Sequence, residues 1–417
     1  MLDKILTNKR KIFNDPVYGF ITIPSDFIFE IIQHPYFQRL RRIKQLGMAE
    51  LVYPGAFHSR FQHALGAMHL MNEALNTLQS KGLLIMDVEK EAAQVAILLH
   101  DIGHGPFSHV LECTLLKGVH HEAISLLLME DLNRQFDGKL SLAIEMFKGT
   151  YNRSFFHQLI SSQLDMDRMD YLNRDSFYSG VVEGKIGAER IIKMLNVVDN
   201  QLVVEEKGLL GVENFLVARR LMYWQVYLHK TSICSETMVL KIFERVKDLL
   251  EGGIKIEIPR NLEIFIDENI NLKDFNDDEK YLQSFIQLDD TDIWFALKSW
   301  QCHEDQTLSL LCKNLIERNL FKIKIEVGLA TDDLEREFQI ILSKHNISKP
   351  LQKYYYKIGN ISNSGYASQD ENIKILMKNG TILDVSEASD LPTIKAMSNI
   401  VKKNYICYAN EVYLPTI

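Results

Sequence analysis

The chain has 417 residues, 46% of them hydrophobic and only nine of them proline, which excludes a disordered or fibrous polymer and leaves room for one large core with appended units. A formal net charge of −8 excludes a protein that coats nucleic acid with a basic surface, so stable nucleic-acid binding is not expected and only local basic pockets remain. Cys113, Cys234, Cys302, Cys312 and Cys407 are scattered without metal-site or disulfide spacing, and no run reaches the roughly 18 apolar residues of a membrane span. Free thiols and a cytoplasmic setting are therefore expected.

From the N-terminus, the first residues are basic but lack the apolar stretch of a signal peptide. Residues 14–23, NDPVYGFITI, read as a turn and a short strand, hence an N-terminal flap or hairpin. Between Ser25 and about Arg245 the apolar residues recur at helical spacing, as in FIFEIIQHPYFQRLRRIKQL and EAAQVAILLHDIG. Beyond Gly252-Gly253, IKIEI and LFKIKIEVG alternate like strands, while 278–318 and 331–345 return to helical spacing. Near the C-terminus IKILM and TILDV flank Lys378-Asn379-Gly380, and Asn-Gly between apolar runs is a strong hairpin signal. The pattern divides the chain into a helical core, residues 1–245, and an α+β region, residues 246–417, suited to regulation or assembly.

Three segments carry chemistry. ILLHDIGHGPFSH, residues 97–109, sets His100 and Asp101 side by side where an apolar helix stops at a glycine, so both side chains can converge on an ion lying off the helix end. Upstream, HSRFQHALGAMHL supplies His58, His63 and His69, with Arg60 one helical turn before His63. Downstream, QLDMDRMDYLNRD places Asp167, Tyr171 and Arg174 on one stripe, bordered by Arg168 and Asp175. Taken singly, His100-Asp101 reads as a helix-end pair satisfied by hydrogen bonds, His63 as a core or surface residue, and the acidic stretch as a salt-bridged helix face. Occurring in this order, with Gly-His-Gly-Pro-Phe attached, they point to a bound divalent metal.

Over residues 14–235 the sequence resembles the HD-domain deoxynucleoside triphosphate triphosphohydrolases. The likeness is carried by NDPVYG, FQRLRRIKQLG, YPGAFHSRFQHALG, HDIGHGPFSH, HHE, DMDRMDYLNRD and VYLHK. It implies a mainly α HD-domain core, here with a short N-terminal hairpin and a C-terminal α+β region. It also implies that His63, His100, Asp101 and Asp167 are ligands of one divalent ion, which two imidazoles and two carboxylates allow to be Mn, Fe, Mg, Ni or Zn.

The same resemblance places His104, His109 and His121 at the reacting phosphate, with His109 as the acid for a leaving 5′-oxygen. Glu112 stands where the family usually has an aspartate orienting that histidine. Arg60, Arg168 and Arg219 become the triphosphate contacts, Arg168 replacing a lysine of the mammalian member. Gln45, Tyr171 and Asp175 match residues near a sugar 3′-hydroxyl, and Tyr227 one that crowds the 2′ position. Gln33 replaces the aspartate that reads a guanine activator, although Arg41 is retained, so the need for a nucleotide activator stays open.

The implied activity is hydrolysis of a dNTP to deoxynucleoside and triphosphate, by attack of metal-bound hydroxide on the α-phosphorus, in a dimer or tetramer. Alternatives are hydrolysis of another nucleotide, a monophosphate or a cyclic dinucleotide, and a non-catalytic nucleotide sensor.

Overall fold

In a computed structural model of the chain, the structure describes residues 11–107, 114–116, 118–267, 270–328, 330–363, 372–396 and 401–414. The expected N-terminal hairpin is present: β1 (Ile12–Asp15) pairs antiparallel with β2 (Gly19–Thr22), and the turn is closed by the Asp15 carboxylate, which accepts from the backbone N–H of Val17 and Tyr18. Such a short polar side chain satisfies turn amides that no strand partner reaches.

The core is helical, built from α1 (Asp26–Gln33), α2 (Arg60–Ser80), α3 (Asp87–Leu99), α4 (His121–Gln135), α5 (Met166–Ser179), α6 (Leu209–Met222) and α7 (Lys230–Glu251), with shorter helices between them. Helix starts and stops are locally encoded. The Gln62 side chain accepts from the Ser59 N–H at 2.9 Å to open α2, and the Asp165 carboxylate accepts from the Arg168 N–H at 2.7 Å to open α5. Helix α5 closes at Gly180, whose φ of +75° belongs to the left-handed region that favours glycine. The center of the core is α2, which packs against both α3 and α5 and buries Phe61, Ala64, Leu65 and Met68 among them.

The following region mixes helices and strands. Helices α8 (Glu279–Gln287), α9 (Asp290–Trp300), α10 (Gln306–Ile316) and α11 (Thr331–Lys344) fall within the segments expected to be helical. Strands also occur inside the stretch expected to be helical: β3 (Leu195–Val198) and β4 (Gln201–Glu205) form a hairpin between α5 and α6. Further on come β5 (Lys322–Glu326), β6 (Tyr356–Asn363), β7 (Lys374–Leu376), β8 (Ile382–Asp384) and β9 (Val401–Tyr408). One sheet has the order β3-β4-β7-β8, with β4 and β7 parallel; the other, β5-β9-β6, is antiparallel. The Asn379-Gly380 hairpin forms as read, Gly380 taking φ +86°.

IKIEI, residues 254–258, is not a strand. Ile256 and Ile258 pack half-buried against the core while Ile254 stays exposed, and the Glu257 carbonyl accepts from the Trp300 indole at 2.8 Å instead of from a strand. Residue 245 lies inside α7, and one continuous apolar core runs from Ile21 to Leu414. Among the described residues no helix is long and apolar enough to cross a membrane.

Candidate metal centre and nucleotide pocket

Three helices deliver the four expected ligands to one point. His63 comes from the first turn of α2, His100 and Asp101 from the C-terminal end of α3, and Asp167 from the first turn of α5. The His63 Nε2 lies 3.4 Å from the His100 Nε2, 3.1 Å from an Asp167 oxygen and 3.7 Å from an Asp101 oxygen. The His100 Nε2 is 3.3 Å from Asp101 and 3.4 Å from Asp167. Ligand atoms bonded to one first-row ion at about 2.0–2.2 Å stand roughly 3–3.5 Å apart, and all of these separations except the 3.7 Å one fall in that range, so the cluster could hold a single divalent metal. His63, His100 and Asp101 are all buried.

Both imidazoles are aimed by their other nitrogen. The His100 Nδ1 lies 2.6 Å from the Ile97 carbonyl, and the His63 Nδ1 lies 2.7 Å from an Asp170 oxygen. Those acceptors fix the tautomer that turns each Nε2 toward the ion. Asp170 in turn accepts from the Arg174 guanidinium at 2.9 and 3.0 Å, and Arg174 donates to Asp15 of the N-terminal hairpin at 2.7 Å. Arg174 therefore points away from the ion, into a buried chain of alternating charge. Asp170 is the functional residue that sequence reasoning missed. Its spacing of one turn from Asp167 was visible, but whether a carboxylate faces the ion or the back of its histidine was not.

Burial alone pushes the His63 imidazole down, but hydrogen bonds to Asp167 and Asp170, and their charges, lift its pKa to about 10. Burial likewise raises Asp167, yet His100 and His63 together hold it well below the usual carboxylate range. In the metal-free protein His63 thus holds its proton more tightly than a free imidazole, and its contribution to stability, full below about 6.5, declines as pH rises and is gone above about 10. An incoming ion must displace that proton. Apparent metal affinity is expected to rise by at least about tenfold per pH unit between pH 6 and 8, the His63 proton being released as the ion binds. Calorimetric titration with Mn²⁺ in buffers of different ionisation enthalpy measures the proton count directly, and an affinity flat with pH would contradict this protonation state.

Beside the ligands, the His104 ring stacks on His121 with centroids 3.7 Å apart, and the His104 Nδ1 lies 3.3 Å from an Asp101 oxygen. The expected histidine group therefore adjoins the cluster, although His109 and Glu112 fall outside the described residues. Arg60 donates to Asp101 at 2.5 Å and also lines a cavity of about 270 Å³. Gln45, Tyr171, Asp175 and Tyr227 line the same cavity, as do Phe107 and Ser232. The Gln45 side-chain oxygen and the Ser232 hydroxyl are buried there without a hydrogen-bond partner among the described residues.

Asp175 is held on both sides: one oxygen lies 2.7 Å from the His58 Nε2 and the other accepts from the Tyr227 hydroxyl at 2.7 Å. Tyr227 ends a π-helical turn, Tyr223–Tyr227, that follows α6, and its ring meets Tyr171 edge-on at 5.9 Å. Extra residues of this kind in a helix re-aim side chains and are frequent at functional sites. Arg168 pairs with Asp165 at 2.5 Å, and the charge of Asp165 raises its pKa further. Arg219, not Arg220, is the buried member of its pair and donates to Gln163 at 2.9 Å. The Nε of both Arg168 and Arg219 is buried with no partner among the described residues. Neither lines the cavity directly; both lie close enough to Tyr171 for their charge to act on its hydroxyl.

This helical core, with a histidine-aspartate cluster at the meeting of three helices, has the architecture of an HD domain, and the HD domain family matches residues 60–175, followed by the HD associated region at 186–260. A phosphohydrolase of Bacteroides thetaiotaomicron is similar in structure, with TM-score 0.92 and 51% identity over 96% of this chain and 100% of that one. The protein YwfO of Bacillus subtilis is 32% identical over 92% of this chain and 88% of its own. The deoxynucleoside triphosphate triphosphohydrolase SAMHD1 of Homo sapiens is 30% identical over 62% of this chain and 48% of its own. The chain belongs to the HD-domain phosphohydrolase family and is a phosphohydrolase.

Proposed function

We propose that the chain hydrolyses deoxynucleoside triphosphates to deoxynucleoside and inorganic triphosphate. The observation that carries this reading is the continuity of the two sites through Arg60, which touches a metal ligand and walls the cavity. A reacting phosphate beside the ligands thus leads directly into a pocket with aromatic walls and a few polar groups, the usual makeup of a small-molecule site.

His63, His100, Asp101 and Asp167 would hold a divalent ion, Mn, Fe, Mg, Ni or Zn, which supplies Lewis-acid polarisation of a phosphoryl oxygen and lowers the pKa of a water. Arg60, Arg168 and Arg219 supply fixed positive charge for a chain of phosphates, more than a monophosphate needs. Their guanidinium groups are held in place by Asp101, Asp165 and Gln163 before substrate arrives, so little reorganisation accompanies charge development. His104 and His121, with His109 close in sequence, are the groups for delivering a proton to the leaving 5′-oxygen. Gln45, Tyr171 and Asp175 take the sugar, and Tyr227, fixed by Asp175, stands where a 2′-hydroxyl would crowd it. Ile12 and Phe20, 58% and 71% exposed on the hairpin, offer apolar surface for the self-association we assign to the chain.

The test is a product assay with Mn²⁺, each of the four dNTPs, and GTP and ATP as controls, with mixed dNTPs supplied as activators in parallel. Triphosphate and deoxynucleoside are expected, with the ribonucleotides poor substrates. Pyrophosphate or orthophosphate as product would move the cleaved bond and overturn the proposed substrate pose.

A further inference from the structure

The corner between α8 and α9 lies far from the metal cluster in sequence, yet it grips both walls of the cavity. One Asp290 oxygen accepts from the Lys44 N–H at 2.9 Å, immediately before Gln45, and the other accepts from the Phe107 N–H at 3.1 Å. Asp290 is 5% exposed. Next to it, Arg39, 1% exposed, donates to the Leu288 carbonyl at 2.9 Å and to the carbonyls of Ile102 and His104 at 3.3 and 2.8 Å. The Arg39 guanidinium also lies 4.6 Å from the Phe285 ring of α8.

The loop so gripped is held in an unfavourable backbone state. Phe107 has φ +51°, in the left-handed region that a bulky side chain rarely adopts, and its ring meets Trp294 of α9 edge-on at 5.5 Å. A residue stays in such a state only where its surroundings over-determine it. Here an amide bond to Asp290 and packing on Trp294 both do so, and both come from one helix end.

We propose that Asp290 is a positioning residue for the phosphohydrolase reaction, bridging the Lys44 and Phe107 amides so that the Gly103–Phe107 loop and the Gln45 wall close on the nucleotide together. The inference rests on the proposed nucleotide hydrolysis. It gives the region after residue 245 a direct part in shaping the pocket, since no other charged side chain among the described residues bonds both amides. Among the described residues no hydrogen bond joins Asp290 to any of the four expected metal ligands, so its effect should fall on substrate placement.

Asp290→Asn removes one of the two acceptors, because its amide N–H₂ must face a backbone N–H. Its kcat/KM toward dNTPs is expected to fall at least tenfold, with the larger share in KM. Bound Mn²⁺ per chain should remain at the wild-type level, and hydrogen exchange should rise at the Lys44 and Phe107 amides but not in α2, α3 or α5. Asp289→Asn, which keeps the cap to Thr291 but loosens the pair with half-exposed Arg42 and removes a charge that acts on Arg39, is the neighbouring comparison and should fall clearly less than Asp290→Asn. Should Asp290→Asn fail to fold, Asp290→Ser is read in the same assays. A kcat/KM within twofold of wild type despite the raised exchange overturns the proposal, as does loss of Mn²⁺, which marks general damage. If the wild type turns over no nucleotide, the proposed function fails instead, and the positioning role is then read from binding of a non-hydrolysable dNTP analogue, which Asp290→Asn should weaken at least tenfold.

Discussion

Asp167→Ala is expected to abolish Mn²⁺-dependent turnover, with a fall of more than about 100-fold, since even the hydrogen-bond partners of metal ligands are worth 10–100-fold. Asp167 is the most exposed of the four, its side chain 24% accessible against 0–10% for the others, so its loss opens the cluster without emptying the core. The remaining donors are two imidazoles and Asp101, whose second oxygen is occupied by Arg60. With one carboxylate gone the site also carries less negative charge to offset a dication. Stoichiometric Mn²⁺ measured on the purified variant, beside its dNTP turnover, checks both halves. A variant that keeps full turnover would remove Asp167 from the ligand set.

Asp170→Ala should damage the protein in two separable ways. It strips His63 of the acceptor that fixes its tautomer, for which a loss of about 10–100-fold in metal affinity is expected. It also leaves the Arg174 guanidinium, 0% exposed, with Asp15 alone, and breaking a buried pair from one side costs about 3–5 kcal/mol. Gly66 tests the same chain by a different route: a Cβ there would lie 2.0 Å from an Asp170 oxygen and 2.2 Å from an Arg174 nitrogen. Alanine at 66 forces the pair off its seat, so Gly66→Ala should imitate Asp170→Ala in both thermal denaturation and Mn²⁺ titration, although a glycine-to-alanine change inside a helix would otherwise stabilise it. A Gly66→Ala protein as stable as wild type would show that the chain of charges is not needed.

What could be read from the sequence was what neighbours along the chain determine together. His100 and Asp101 adjoin at a helix end, Arg60 and His63 share a turn of α2, and Asn379-Gly380 sits between two apolar runs; each of these is set by local geometry. Contacts across long loops could not be read. Asp290 bonds Lys44 across 246 positions, and His58 meets Asp175 across 117, with nothing in either segment to announce the partner. IKIEI shows the other failure: alternation marks a chain with two unlike sides, and a helical surface can cover one of them as well as a strand can. Arg174 fell on the expected stripe but is turned by Asp170 and Asp15 toward the core, because a stripe spanning two turns wraps past the edge of the site.

The parallel pairing of β4 with β7 has a consequence for how the chain is made. Val204 and Glu205 meet Ile375 and Leu376, some 170 residues later, so the β3-β4 hairpin emerges from the ribosome long before its third strand exists. Until then β4 presents an open row of amides and carbonyls, the edge at which unfinished chains pair with each other. The long-range strand closure makes completion of this sheet a late event in folding, governed by loop closure and not by helix formation. Chains cut short between the two strands are therefore candidates for clumping during synthesis, even though His63, His100, Asp101 and Asp167 have all been made by then.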